Sequence, residues 1–287
     1  MPYTVPVSFD RFRQNIEPPS YQKETATKRK DHLVSLLEEA FVLLDAMPIG
    51  SLPRATAVKG HADLDVMVVL HYGKHIKNKK PSEVLQDLRD CLGDYRTNVR
   101  KNGQAVTLHY KSWPNVDIVP VCRVADDDGT VAHYEVPNMN DESWIPSQPV
   151  RHSNEMTDRN KTFGKEFKRI IKMIKWWNHQ HGSHLQSYHI EVLALQSLTG
   201  SFSSYPWGVF QFFDKSVGLT QGSLWHNVGY ADSYLDSKKR QEVQKRLETA
   251  RDKASTAWYK TYRSNDDHEG AIAIWGQIFG GEFPAHG

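Results

Sequence analysis

Residues 50–70 read GSLPRATAVKGHADLDVMVVL, and they decide how the first half of the chain folds. A Gly-Ser pair, Gly50–Ser51, is separated by eleven residues from Asp63–Leu64–Asp65, and five apolar residues follow. Side chains alternate along a β-strand, so Asp63 and Asp65 leave one face and Leu64 leaves the other, toward the core. The stretch therefore predicts a turn, a loop and a buried strand that carries two carboxylates at its start.

A third acid, Asp117, lies within the apolar run Val116–Val121. A carboxylate in such a run costs free energy unless it has a partner. Three carboxylates on one face repel one another, and divalent cations, which take oxygen ligands, relieve that repulsion. Two such ions about 3.5–4 Å apart can activate an attacking hydroxyl and stabilise a leaving pyrophosphate. We therefore predict that Asp63, Asp65 and Asp117 are catalytic ligands of two Mg²⁺ or Mn²⁺ ions.

The Gly-Ser pair predicts phosphate binding. Glycine lets the backbone approach a phosphate closely, and backbone N–H groups and the Ser51 hydroxyl can then bind phosphate oxygens. The chain contains neither a G-x-x-x-x-G-K-[ST] string nor a G-x-G-x-x-G string. A lone D-x-D in a strand is a weak signal, because solvated pairs of acids are common. The combination of Gly50–Ser51, the eleven-residue spacing and the three apolar-flanked acids favours nucleotidyl transfer.

The remaining pattern predicts an α+β protein with a sheet lobe over residues 1–150 and a helical lobe over residues 151–287. The cleft between the lobes is the expected place for a site. Apolar residues at three- and four-residue spacing predict one long helix over about 23–45. The other predicted elements are strands at 64–70, 105–110, 116–121 and 130–136, and helices at Pro81–Cys91, Phe163–His179, Leu185–Leu198, Ser237–Arg263 and Ile272–Phe279.

Composition restricts the classes of protein. The 36 basic and 34 acidic residues give a net charge of +2, which is too balanced for a dedicated nucleic-acid binder. The two cysteines, Cys91 and Cys122, make neither a disulfide framework nor a metal-ligand set, and we expect them to be reduced thiols. No apolar run approaches the roughly 18 residues that a membrane span needs. We therefore expect a cytoplasmic protein that does not bind membranes.

Two further blocks of sequence sharpen the interpretation. Residues 171–178 read IKMIKWWN, residues 185–191 read LQSYHIE, and residues 274–280 read IWGQIFG. The Gly-Ser turn and the acids resemble those of the polymerase-β-like nucleotidyltransferases. The later blocks resemble the I-K-x-x-K-x-W-N and S-Y-x-x-E pattern and the C-termini of the CD-NTases, the bacterial cGAS/DncV-like synthases of CBASS anti-phage systems. The resemblance covers nearly the whole chain and implies a polymerase-β-like sheet lobe, a long N-terminal spine helix and an OAS-like helical lobe.

The resemblance also implies roles for the residues of the first block. Asp63 and Asp65 are expected to bind both metal ions. Asp117 is expected to bind the ion that activates the acceptor hydroxyl, and Gly50 and Ser51 are expected to hold the triphosphate.

In the second block, the resemblance implies phosphate contacts for Lys175 and Ser187, and stacking on the donor base for Tyr188. The residues themselves leave alternatives open. Lys175 can be a solvated lysine, Ser187 can cap the start of its helix, and Tyr188 can pack in the core. Glu191 faces inward on the same helix, and we expect it to be a hydrogen-bonded structural acid.

The resemblance implies an enzyme that joins nucleoside triphosphates (ATP, GTP, UTP or CTP) into a cyclic di- or trinucleotide second messenger. A separate effector is the expected partner of that messenger, and a ubiquitin-type enzyme is an expected partner of the C-terminal Gly287. Two other functions share the core motif: a tRNA-terminal nucleotidyltransferase of the CCA-adding type, and an enzyme that nucleotidylates a small molecule or a protein. A nucleotide-sensing module without activity is disfavoured, because three clustered carboxylates without metal chemistry are costly to retain.

Overall fold

The structure is a computed structural model that describes residues 3–61, 63–93, 99–262 and 266–286, and the side chains of residues 99–102 are not described. The chain divides into two compact units. The sheet unit comprises Pro18–Ala55 and Gly60–Ser153. The helical unit comprises the chain up to Glu17, the short segment Thr56–Lys59, and Asn154 onward. Gly287, the residue predicted to be conjugated, lies outside the described residues.

The sheet unit is built on a seven-stranded sheet. Its strands follow the order β1-β2-β5-β4-β3. Strand β6 pairs with residues 122–125 at the C-terminal end of β5, and β7 pairs with β6. Strands β2 and β5 are parallel, and the other described pairs are antiparallel. The strands are β1 (Leu43–Ile49), β2 (Leu64–Leu70), β3 (Val99–Asn102), β4 (Ala105–Leu108), β5 (Val116–Ala125), β6 (Val131–Asn138) and β7 (Ser143–Ser147). The helices of the unit are α2 (Ser20–Ala40), α3 (Tyr72–His75) and α4 (Pro81–Gly93).

The two faces of this sheet differ. On one face, Leu64, Val66 and Val68 of β2 join a buried apolar cluster with residues of α2 and α4. On the other face, Met67 and Val69 of β2 form a smaller cluster with residues of β4, β5 and β6. Because side chains alternate along a strand, Asp65 lies on the same face as Met67, opposite the helices. The prediction that Leu64 points into the core while the neighbouring acid points away is confirmed.

The long N-terminal helix is shorter at its end than predicted. Helix α2 ends at Ala40, whereas the sequence pattern predicted a helix to about residue 45. Phe41 already has extended backbone angles, and Leu43 pairs with Leu70 of β2. The apolar residues at 41–44 continue the helical spacing, but hydrogen bonding to β2 takes this segment into the sheet. The predicted end of the helix was therefore wrong.

The helical unit packs around one apolar core. Aromatic rings form its centre, where Phe9 contacts Trp275 with a 4.9 Å distance between ring centroids and Phe283 at 5.0 Å. Its helices are α1 (Val5–Asn15), α6 (Glu166–Gln180), α7 (Ser187–Ser197), α8 (Tyr205–Leu219), α9 (Ser237–Tyr262) and α10 (His268–Phe279). The unit also contains a two-stranded sheet of β8 (Trp225–His226) and β9 (Gly229–Tyr230), and most of α5 (Pro149–Phe163).

Three helices of this unit, α1, α5 and α8, were not among the predicted ones. Helix α1 has buried residues at 5, 8, 9 and 12, and it packs with the C-terminal helices rather than with the sheet. Helix α8 begins after Ser204, whose hydroxyl accepts a hydrogen bond from the backbone N–H of Trp207. Among the described residues, no helix is both long enough and apolar enough to cross a membrane.

Candidate active site

Gly50 and Asp65 are in close contact at the end of β1. Gly50 follows the last residue of β1, and Ile49 pairs with Asp65 across the two strands. Gly50 has φ +78°, and a β-carbon added there would lie 1.8 Å from Oδ2 of Asp65. The carboxylate of Asp65 therefore occupies the space that any other residue at position 50 would fill. The half-buried Ser51 comes next, in the turn that leaves the strand.

Asp65 and Asp117 are direct neighbours in the sheet. They are paired residues of the parallel strands β2 and β5, which lie about 4.8 Å apart in such a sheet. Asp117 also pairs with Thr107 of β4, and the Thr107 hydroxyl donates a hydrogen bond of 2.5 Å to Oδ1 of Asp117. Thr107, at 6% exposure, is almost fully buried. The strand register thus brings two of the three predicted acids side by side and gives one of them a fixed orientation.

The third acid, Asp63, is exposed and lies immediately before β2. Its negative charge repels the carboxylate of Asp117. The pKa of Asp117 is raised above its ordinary value chiefly because the carboxyl is largely buried, and the negative charge of Asp63 raises it further. The hydrogen bond from Thr107 and the charge of His109 act in the opposite direction. The ionised form of Asp117 is therefore electrostatically unsatisfied in the protein alone.

This group of acids suits a hard divalent cation. Its donors are carboxylate oxygens, which are the ligands that Mg²⁺ and Mn²⁺ prefer. A cation beside Asp117 would offset both the burial and the repulsion by Asp63 that raise its pKa. The residues present thus fit the predicted metal, and Asp63, Asp65 and Asp117 are the side chains that would hold it.

In the helical unit, Lys175 lies in a buried polar network. Its Nζ is 2.7 Å from Oε1 of Glu191 and 3.2 Å from the hydroxyl of Thr56, which itself donates a 2.5 Å hydrogen bond to Glu191. The side chains of Lys175 and Glu191 are 3% and 0% exposed. The alternative of a solvated lysine is therefore wrong, whereas Glu191 is the hydrogen-bonded inward-facing acid that was expected.

The start of α7 presents Ser187 and Tyr188 at the surface. Ser187 is the first helical residue, and the N-cap position is Gln186, so the alternative of a capping Ser187 is not observed. Tyr188 is 36% exposed, which contradicts the alternative of core packing. Its hydroxyl lies 2.7 Å from Nδ1 of His226, and Nε2 of His226 lies 2.9 Å from Oε2 of Glu155. Tyr188 is thus the exposed end of a hydrogen-bonded chain.

A family model matches residues 3–160 of the chain, and that family is described as the Second Messenger Oligonucleotide or Dinucleotide Synthetase domain, SMODS. The match covers more than half of the chain, including all three acids and the Gly-Ser turn. The chain belongs to the SMODS family. The predictions of a CD-NTase, of a nucleotidyltransferase enzyme and of second-messenger synthesis are thereby confirmed.

Similar proteins are known from several bacteria. The chain is 23% identical over 257 residues to a cyclic AMP-AMP-AMP synthase of Acinetobacter sp., covering 82% of this chain and 71% of that protein. It is 25% identical over 240 residues to a cyclic AMP-AMP-AMP synthase of Escherichia coli, covering 75% and 70%. Among solved structures, E. coli MS115-1 CdnC with ATP superposes with a TM-score of 0.73, and CdnC in its complex with HORMA-deltaN superposes with 0.70. Both CdnC chains are 20% identical to this chain, and both alignments cover 98% of it. The alignments cover 99% of the CdnC chain with ATP and 98% of the CdnC chain in the HORMA-deltaN complex. This likeness confirms the predicted α+β fold of the nucleotidyltransferase type.

Four side chains around the predicted residues were missed by sequence reasoning. The sequence does not identify Thr107, because it is a single residue in a short buried strand. Only the pairing of β4 with β5 places it beside Asp117. Thr56 lies in the loop between the Gly-Ser turn and the acids, and no motif in the neighbouring sequence identifies it. Glu155 and His226 lie 33 and 38 residues from Tyr188 in the sequence, so no local pattern connects them.

Proposed function

We propose that this chain is a metal-dependent synthase that joins nucleoside triphosphates into a cyclic oligonucleotide, with Asp63, Asp65 and Asp117 as its catalytic acids. The observation that carries the proposal is the pairing of Asp65 with Asp117 beside a glycine that leaves room for the Asp65 carboxylate. Two bound Mg²⁺ or Mn²⁺ ions would supply activation of the acceptor hydroxyl and stabilisation of the leaving pyrophosphate. Family membership supports this chemistry.

The residues of the sheet unit would divide the work as follows. Asp63 and Asp65 would hold both metal ions, and Asp117 would hold the ion that activates the acceptor hydroxyl. The backbone N–H groups after Gly50 and the Ser51 hydroxyl bind phosphate oxygens. A ribose hydroxyl of the acceptor would lose its proton to water while its oxygen bonds to the α-phosphorus of the donor. The bond from that phosphorus to the α–β bridging oxygen would break, and pyrophosphate would leave with the electron pair. A last transfer within the linear product closes the ring.

The helical-unit residues enter the proposal in different ways. Ser187 and Tyr188 are exposed, so they can contact a nucleotide without rearrangement. Lys175 is bound to Glu191, and its ammonium can contact a phosphate only by sharing or exchanging that partner. We include all three as nucleotide contacts, with Lys175 as the one whose contact requires a local change.

We further propose adenine as the base and a cyclic trinucleotide as the product. The support is that two relatives, from Acinetobacter sp. and from E. coli, are named cyclic AMP-AMP-AMP synthases. A separate effector that responds to the messenger, as in anti-phage systems, is part of the proposal. The complex of the CdnC relative with HORMA-deltaN supports a protein partner for this chain as well. Cytoplasmic location and conjugation at Gly287 remain proposals of the same kind.

Product analysis tests the proposal. The purified protein is incubated with Mg²⁺ and each nucleoside triphosphate alone and in mixture, then treated with phosphatase and analysed by mass spectrometry. We expect a phosphatase-resistant product with ATP alone and the mass of three AMP residues joined in a ring. Addition of nucleotides to a tRNA end, or transfer of AMP to a small molecule or a protein, would instead identify one of the two alternative nucleotidyltransferase functions.

A further inference from the structure

Two histidines and a glutamate form a cluster whose donor atoms can meet at one metal ion. His152, Glu155 and His226 each offer one donor, and the three donor atoms lie within 4.8 Å of one another. His152 is 2% exposed, and the side chains of His226 and Glu155 are 12% and 32% exposed. Two imidazole nitrogens and one carboxylate oxygen are a recurrent ligand set for Zn²⁺ in proteins, with a water molecule as the fourth ligand.

Local structure holds each of the three side chains. His152 and Glu155 are three residues apart on α5, so they lie on the same side of that helix. The boundary between the two units falls inside this helix, after Ser153, and the helix alone sets the distance between the two side chains. His226 belongs to the hairpin of β8 and β9, where it pairs with Gly229 across a two-residue turn. Glu155 and the hairpin both belong to the helical unit.

The carboxylate of Glu155 approaches two residues of the hairpin. Its Oε2 lies 2.9 Å from Nε2 of His226 and accepts a 3.4 Å hydrogen bond from the side-chain amide of Asn227. Donors around one tetrahedral zinc ion are about 3.3 Å apart, because Zn–N and Zn–O distances are about 2.0–2.2 Å. Glu155 and His226 therefore lie near the separation that a shared ion requires. His152 can reach the same ion by a rotation of its side chain, since its donor is within 4.8 Å of the other two.

The other ring nitrogen of His226 has the kind of partner that zinc-binding histidines have. A metal-bound histidine generally donates its second ring N–H to an oxygen acceptor, which fixes the tautomer and the orientation of the ring. Nδ1 of His226 lies 2.7 Å from the hydroxyl oxygen of Tyr188. The ring is thus oriented with Nε2 toward Glu155 and Nδ1 toward Tyr188.

We propose that His152, Glu155 and His226 bind one Zn²⁺ ion, with a water molecule in the fourth position. Nitrogen donors favour Zn²⁺ over Mg²⁺, whereas the carboxylates of the three catalytic acids favour Mg²⁺ or Mn²⁺. Bound zinc would replace the contact between Glu155 and His226, and it would hold the His226 ring and the Tyr188 hydroxyl in place. Zinc binding is independent of the proposed synthase activity, because none of its ligands is a catalytic acid.

The test uses the full-length protein, which is freed of metal with a chelator and titrated with Co²⁺ and then with Zn²⁺. Co²⁺ with four or five ligands absorbs visible light much more strongly than Co²⁺ in a six-coordinate oxygen site, the kind that carboxylates and water form. We expect a strong spectrum that saturates at one equivalent and is displaced by one equivalent of Zn²⁺. The Asp63→Asn/Asp65→Asn variant should give the same spectrum, so a failure of the proposed function leaves this result unchanged.

Glu155→Gln and His226→Gln should each abolish the strong Co²⁺ spectrum, because each removes one of three ligands. The matched control is Asp158→Asn, which removes a carboxylate from the same helix outside the cluster and should keep the spectrum. Tyr188→Phe keeps all three ligands and removes only the partner of Nδ1 of His226. It should therefore weaken Zn²⁺ binding about 10- to 100-fold.

Absence of a saturable Co²⁺ spectrum in the wild-type protein would overturn the proposal and leave Glu155 and His226 as a hydrogen-bonded pair. A spectrum that survives in both Glu155→Gln and His226→Gln would do the same. So would a spectrum that is lost in Asp63→Asn/Asp65→Asn, because the ion would then lie at the catalytic acids. Circular dichroism checks that the ligand variants fold. If they do not, the Zn²⁺ affinity of Tyr188→Phe decides, and an affinity equal to that of wild type would contradict the site.

Discussion

The carboxylate of Asp65 fills the space beside Gly50, where a β-carbon would lie 1.8 Å from its Oδ2 atom. The Gly-Ser turn and the first strand acid are therefore not two separate motifs. The glycine is required in part for the position of the acid, in addition to any approach of the backbone to phosphate.

Gly50→Ala should abolish synthesis, because the new methyl group must displace the Asp65 carboxylate. The control is Gly129→Ala, which has a similar φ of +83° but nothing within 4 Å of the added carbon. Both variants carry a similar backbone cost of roughly 1 kcal/mol, and Gly50→Ala must also displace the Asp65 carboxylate, so its melting temperature should fall at least as far as that of Gly129→Ala. Initial rates of pyrophosphate release should separate them. Equal activity of the two variants would mean that the Asp65 contact is unimportant.

Asp117→Asn should stabilise the metal-free protein while it destroys activity. Burial and the charge of Asp63 raise the pKa of Asp117, so its ionised form is disfavoured in the folded state. A carboxyl group whose pKa is raised in the folded state lowers the free energy of unfolding at neutral pH, where the group is ionised. The neutral amide of asparagine removes this loss of stability. Melting at pH 7 in a chelator should show a higher midpoint for Asp117→Asn than for wild type. Added Mg²⁺ should raise the midpoint of wild type only.

Breaking the pair of Lys175 and Glu191 from one side should cost much of the stability of the helical unit. Lys175→Met leaves a fully buried carboxylate without its cation, which typically costs about 3–5 kcal/mol. The double variant Lys175→Met/Glu191→Gln should lose clearly less than Lys175→Met. Lys161→Met, which breaks an exposed pair with Asp158, should change denaturant unfolding by less than about 1 kcal/mol. A Lys175→Met protein as stable as Lys161→Met would show that the buried network is not formed.

Tyr188 should act through its ring, with His226 as a positioning residue. Loss of base stacking in Tyr188→Ala should cost about 1–3 kcal/mol, so KM for the nucleotide should rise about 5- to 150-fold. Tyr188→Phe and His226→Ala keep a ring at 188 but remove its 2.7 Å hydrogen bond, so KM should rise only a few-fold with little change in kcat. Steady-state kinetics with ATP make the comparison. A Tyr188→Ala enzyme with unaltered KM would remove Tyr188 from the nucleotide site.

Acid should destabilise the protein partly through His189. Burial lowers the pKa of His189 to about 4, while nearby Asp232 acts to raise it and Arg240 to lower it. A lowered histidine pKa gives stability that is present above pH 6.5 and is lost as the pH falls toward 4. The difference from 6.5 corresponds to about 3 kcal/mol. His189→Gln should therefore show a flatter fall in unfolding free energy between pH 6.5 and 4 than wild type, and parallel curves would rule this role out.

The sequence was most informative where local spacing corresponds to a strand or a long helix. Strand β2 was placed at its observed bounds, Leu64–Leu70, because a run of apolar residues follows the D-L-D triplet. Helix α9 begins at Ser237, as predicted, and its predicted last residue, Arg263, lies outside the described residues. Helix α2 was misplaced at its C-terminus because Leu43–Ile49 has no sequence feature that shows its pairing with β2.

The same distinction applies to the candidate site. The three acids and the Gly-Ser turn could be named from the sequence, because their chemistry requires those residue types at that spacing. The partners of these residues could not, because they come from other strands and helices. Thr107 reaches Asp117 only through the register of β4 with β5, and Thr56 reaches Glu191 across 135 residues of chain.

The most direct test of the central claim is synthesis by a variant without the first two acids. Asp63→Asn/Asp65→Asn is compared with wild type and with Asp126→Asn/Asp127→Asn, which removes the same charge from an exposed turn of the same unit. Each protein is incubated with radiolabelled ATP and Mg²⁺, and the phosphatase-resistant product is quantified. We expect product from wild type and from the control, and none above background from Asp63→Asn/Asp65→Asn. Undiminished product from Asp63→Asn/Asp65→Asn would contradict the assignment of the active site.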